Sequence, residues 1–162
     1  FGSSERPRAS RDPLRVLPSR ARAMSAVKGK IFKAEGLKNV DLWGKSDPFV
    51  RVTLEKPGGD IAGESKTATK TDDLNPVWED EIFNFSNEGD DFMESCLRFK
   101  VMDTGLGPDV ELGETLVPVK LIPMLDGGEQ TAFTMSLGIV KKKSMGTITV
   151  SLGVMPKAGF FG

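Results

Sequence analysis

Apolar and polar positions alternate along most of this chain, in short runs parted by turn residues. "VKGKIFKA" sets Val27, Gly29 and Ile31 on one side. "PFVRVTLE" does the same with Val50, Val52 and Leu54, and "CLRFKVMD" sets Leu97, Phe99 and Val101 against Arg98, Lys100 and Met102. "TAFTMSL" alternates Phe133, Met135 and Leu137, and "GTITVSLGV" alternates Ile148, Val150 and Leu152. "VWEDEIFNF" carries Trp78, Ile82, Phe83 and Phe85; "ESKTATKT" is a weaker, threonine-bearing run. "ETLVPVKL" reads as a further strand, with Pro118 pointing to a sheet edge. A period of two is that of a strand with one buried and one wet face. About eight such runs predict an all-β fold, an eight-stranded antiparallel β-sandwich. "KPGGD" and "LDGGE" supply turns, and "EGDDFMES" one short helical turn. There is no long helix and no internal repeat.

The pattern sets the domain limits. Residues 1–26, rich in arginine, serine and proline, show no sustained period and read as an extended tail. This composition resembles an organellar targeting segment or its remnant; the alternative is a basic tail that touches a partner. The sandwich is expected over residues 27–154, and residues 155–162, "MPKAGFFG" from Met155, form a short tail.

Composition narrows the chemistry. The formal net charge is -1 over 162 residues, which argues against a general nucleic-acid binder. There is no histidine, so the commonest general base and zinc ligand are missing. Cys96 is the single cysteine; its place in "CLRFKV" predicts a buried strand thiol. No run approaches the roughly 20 apolar residues of a membrane-spanning helix. "GKS" at Gly44 to Ser46 lacks the earlier glycine of a phosphate-binding loop, which would stand at Asn39. No nucleophile-elbow motif is present.

"GKSDPFVRV", then "LNPVWEDEIFNF", then "LRFKVMD", with "LGE" after it, resembles the C2 domain, a membrane-docking β-sandwich module, over about residues 27–154. The order of the strands looks like the permuted variant of that family, whose first strand is the one leading into "AEGL". The resemblance implies a calcium site between loops at one end of the sandwich. By position, Asp41 and Asp47 match ligands of the first loop and Asp103 the first aspartate of the third. The next expected ligand position holds Gly105, and Asp109 or Glu111 would have to supply a later one. Calcium takes roughly six to eight oxygens and its affinity follows the number of charged ligands. The expectation is therefore at most one weakly held calcium ion, or none. Asp47 also has a purely structural reading, since an aspartate before proline can bond nearby amides.

The resemblance also implies that Leu42, Trp43 and Leu106 project from the loop tips toward the bilayer interface, where tryptophan is favoured. The other reading folds Trp43 back onto the sandwich or onto a partner protein. Arg51, Lys66, Lys70, Arg98 and Lys100 alternate opposite apolar neighbours and should form the wet, basic face of one sheet. Arg51, Lys66 and Lys70 match where the family often binds phosphoinositides. Lys141, Lys142 and Lys143 could add to it.

Two functions follow. The first is a non-catalytic peripheral module that docks on anionic phospholipid at the cytoplasmic side of a membrane. The second is an accessory subunit of a larger complex, for instance on a plastid or mitochondrial membrane, with the N-terminal tail clamped on protein neighbours. No nucleic-acid partner is expected.

Overall fold

The structure, a computed structural model, describes residues 24–86, 89, 91–125, 131–138 and 145–156. The N-terminal tail up to residue 23, the lysines at 141–143 and the C-terminal segment from residue 157 lie outside the described residues.

The strands are β1 (Met24–Glu35), β2 (Pro48–Glu55), β3 (Ile61–Lys66), β4 (Val77–Ser86), β5 (Cys96–Asp103), β6 (Val110–Pro118), β7 (Thr131–Ser136) and β8 (Thr147–Pro156). They form two four-stranded antiparallel sheets, ordered β4-β1-β8-β7 and β3-β2-β5-β6. The inward residues of each meet in one core. Val50, Val52 and Leu54 of β2, Leu97, Phe99 and Val101 of β5, and Ile148, Val150 and Leu152 of β8 are all buried. Trp78 is buried too, and its indole N–H donates to the Ala68 carbonyl at 2.7 Å. The Phe83 ring meets Phe99 of the other sheet edge-on at 5.9 Å. Each such side chain contributes about 1.5–3 kcal/mol on leaving water.

Where the runs differ from their expected limits, a distant contact is responsible. The third strand is Ile61–Lys66 rather than a run from Glu64 to Thr71. The turn after Glu55 starts pairing with β2 at once, and past Lys66 the Thr67 hydroxyl accepts from the Val50 amide at 2.9 Å. The sixth strand begins at Val110, and the chain turns into a short 3-10 segment, Val119–Leu121, after Pro118. Pro118 indeed ends an edge strand. Cys96 is half-buried, not buried: it shares the parity of Arg98 and so lies on the polar side of β5. Ile82 faces outward beside Lys30 and is exposed.

Strand direction gathers the loops. β1, β3 and β5 end, and β2, β4 and β6 begin, at the same pole of the sandwich. The β1–β2, β3–β4 and β5–β6 loops therefore stand side by side.

Candidate functional site

The first loop is braced from within. Ser46 is fully buried, and its hydroxyl accepts from the Val40 amide at 3.0 Å. Asn39 donates to the Gly44 carbonyl at 2.9 Å and accepts from the Asp41 amide at 3.1 Å. "GKS" thus serves to close a loop, not to hold a phosphate. Between these braces the chain has nothing to pack on, and Leu42 and Trp43 point into solvent, 94% and 92% exposed. Leu106 of the β5–β6 loop is fully exposed. Trp43 does not fold back. Val40, Asp41, Leu42, Trp43, Asp47 and the 104–106 segment line one open cleft of about 590 Å³.

Carboxylates join the three loops through backbone amides. Asp103 is buried, and its Oδ1 accepts from the Asp47 amide at 2.6 Å. Asp47 Oδ1 accepts from the Asp72 amide at 2.6 Å. Asp72 Oδ1 in turn accepts from the Lys45 amide. Asp72 adopts a positive φ of 59°, a conformation that aspartate tolerates better than most residues. Gly44, at φ +86°, is required here: a Cβ would stand 2.8 Å from Asp72 Oδ1. Burial pushes the Asp103 carboxyl above its usual range. The Asp47 amide pulls it down, and the charges of Asp41 and Asp47 push it up again.

These three hydrogen bonds bear on calcium. One oxygen each of Asp47, Asp72 and Asp103 is already committed to an amide, and position 105 carries no carboxylate. Among the described residues no three acidic or thiol side chains stand as a metal-holding group. Asp47 and Asp103 each keep one carboxylate oxygen not bound to these amides, and with Asp41 they do not stand as a metal-holding group. Asp109 does not join them; its carboxylate lies 3.8 Å from Arg51 instead.

The polar face of the β3-β2-β5-β6 sheet forms the flank of the site. Register sets Lys66, Arg51, Lys100 and Glu114 in one row across four strands. The next row holds Glu64, Thr53, Arg98 and Leu116. Lys70 stands apart, in the β3–β4 loop, beside Val77, Trp78, Glu79 and Glu81. The face is mixed rather than basic. Arg98 donates to both oxygens of Glu55, at 2.6 and 3.1 Å, and to Glu114 at 2.9 Å. That network raises the Arg98 pKa and holds the Glu55 carboxyl below its usual range, chiefly through the Arg98 hydrogen bond. Lys100 donates to Glu111 at 3.0 Å, which raises its pKa. Phe49 lies on this same side of β2 and is nevertheless buried, with the Arg51 guanidinium and the Lys66 ammonium 6.0 and 5.8 Å from its ring centre.

Asp72, Phe49 and the acids Glu55, Glu64 and Glu114 belong to this region without having been singled out in the sequence. The shared parity of Arg51 and Glu55 in "RVTLE" was the available signal for one of them. Glu111, weighed above as a calcium ligand, serves Lys100 instead.

The sequence model of the C2 domain family matches residues 25–137. Synaptotagmin-1 of Arabidopsis thaliana is 34% identical over 118 residues, which is 72% of this chain and 20% of that protein. Rabphilin-1 of Caenorhabditis elegans is 36% identical over 114 residues, 68% of this chain and 10% of that protein. The chain thus spans a fifth or less of the length of these relatives. A solved C2 domain of plant Extended Synaptotagmin 1 superposes with a TM-score of 0.69 at 33% identity, covering 83% of this chain and 97% of that one.

Proposed function

As the chain belongs to the C2 domain family, we propose that it is a non-catalytic module that docks peripherally on anionic phospholipid membrane, tip first, with weak or no need for calcium. The observation that carries this reading is the outward display of Leu42, Trp43 and Leu106 at one pole. Such a cluster gains nothing in water and is matched to the bilayer interface, where an indole places its ring in apolar surroundings and its N–H among headgroups. Arg51 and Lys66 flank it and meet the negative leaflet, each cation there contributing about 1 kcal/mol.

Weak calcium dependence follows from the amide-bound carboxylates. They hold the three loops together without an ion, so the tip is already shaped for docking. Sedimentation of the full chain with vesicles tests the reading. Phosphatidylcholine vesicles containing phosphatidylserine should carry the protein down in the presence of chelator, and calcium should add little. Recovery of all the protein in the supernatant, with and without calcium, would refute the proposal.

A further inference from the structure

Charge pairing on the polar face is graded, and the grading has a direction. Toward the pole opposite the loops, Arg98 is held by two carboxylates at hydrogen-bond distance, through all three of its nitrogens. Lys100, one row nearer the loops, holds Glu111 at 3.0 Å. Arg51, in the same row, is different. Its Nε is buried and has no hydrogen-bond acceptor among the described residues. Its nearest carboxylates are Glu64 at 3.9 Å and Asp109 at 3.8 Å, both outside hydrogen-bond reach. Lys66 shares the Phe49 ring with it and makes no ion pair among the described residues. Two cations are thus held side by side on one aromatic surface, countered only at long range.

We infer that Asp109 is a built-in counter-ion that competes with anionic phospholipid headgroups for Arg51, and so sets how much negative charge a membrane must carry before this face engages it. The inference rests on the membrane-docking reading above and adds a residue that tunes it. Three features support the assignment. Asp109 closes the 104–109 loop that carries Leu106, so the competitor sits on the segment that meets the bilayer first. The Arg51–Asp109 contact is long and exposed to solvent, and pairs of that kind are weak and readily exchanged. A phosphate or carboxylate headgroup offers oxygens at hydrogen-bond distance to the terminal nitrogens of the guanidinium, the end that faces Asp109 at 3.8 Å in the folded protein. Occupation of Arg51 by a headgroup therefore replaces a poor contact with a directed one, whereas each of the three Arg98 nitrogens already donates to a carboxylate.

The test compares Asp109→Asn with Asp60→Asn. Asp60 is exposed in the β2–β3 turn at the far pole and gives the same change in net charge. Each variant is titrated, in chelator and at fixed salt, with phosphatidylcholine vesicles containing a minor share of phosphatidylserine. Asp109→Asn should bind about fivefold more tightly, the worth of one basic side chain at an anionic surface. Asp60→Asn should change binding less than about twofold, by the weakness of charges far from the contact. In an Arg51→Ala background the gain from Asp109→Asn should vanish. Equal affinities for Asp109→Asn and Asp60→Asn, or a gain that persists without Arg51, would overturn the counter-ion while leaving docking intact. Absence of binding by every form, wild type included, would instead remove the docking reading, and this inference with it.

Discussion

Replacement of Trp43 by alanine probes the tip most directly. The side chain is 92% exposed in the free protein, so its removal costs the fold almost nothing. An aromatic side chain of this size buries about 150–250 Å² when covered. Half of that area entering the interface, at ~25 cal/mol/Å², gives about 2.5 kcal/mol. Alanine keeps a small part of this, leaving a loss of about 2 kcal/mol, or roughly 30-fold in affinity. The assay is vesicle titration followed by sedimentation, with thermal unfolding as a check on folding. Stability should stay within about 0.5 kcal/mol of the wild type, as for surface substitutions in general. Leu121→Ala is the control: it removes another exposed apolar side chain, at the far pole, and should leave binding unchanged. If wild-type protein binds and Trp43→Ala binds equally well, the tip does not enter the bilayer, and the contact must be made elsewhere.

Two predictions concern the charged groups. Burial raises the Asp103 pKa, so the folded protein keeps this proton to higher pH than the unfolded chain does; stability contributed here falls as pH rises from the ordinary value of 3.8 through the raised one. Asp103→Asn keeps an oxygen for the Asp47 amide and removes the charge. Measured in chelator, it should therefore unfold at a higher temperature than wild type at neutral pH, and the difference should close as pH falls toward 3.8. Equal melting at neutral pH would show that the buried charge carries no penalty. Arg98→Met should cost about 1–2 kcal/mol by denaturant titration, between the worth of exposed and buried pairs. A further Glu55→Gln change should add little, because its partner is already gone.

The strands were readable because each half-buried segment carries its own period. Val50, Val52 and Leu54 report the inward face of β2 without reference to any other element. The shared pole of Asp41, Asp47, Asp103, Leu42, Trp43 and Leu106 followed from the resemblance, and strand direction accounts for it. The limits of β6 were not readable in the same way. A side chain at Gly113 would meet Leu137 and Met145 at 3.0 and 2.9 Å, so the residue answers to the β7–β8 connection and not to its neighbours in sequence. Asp72 was missed for a similar reason: its carboxylate serves an amide in another loop, at Lys45. The acidic partners of the polar face depend on register as well. β6 carries an irregularity opposite Val101 and Met102, and it is this shift that brings both Glu111 and Glu114 within reach of Lys100.

Counting charges would have misjudged both halves of the site. At the tip, four aspartates sit near one another and would be expected to repel an anionic surface, yet three of them have an oxygen bound to a backbone amide and one is buried. On the flank, lysines and arginines would be expected to attract that surface uniformly, yet Arg98 and Lys100 are engaged by glutamates of the same fold. On the docking proposal, what would act on a membrane is the remainder after internal pairing. On this sheet face the remainder is cationic around Phe49, where Arg51 and Lys66 lie, and at the tip Leu42, Trp43 and Leu106 stay exposed. The two lie next to each other because β2 starts beside the first loop and β3 ends there. If the proposed docking through Trp43 holds, Arg51 and Lys66 are the cations of this sheet face that lie toward the same pole, and they would set its orientation.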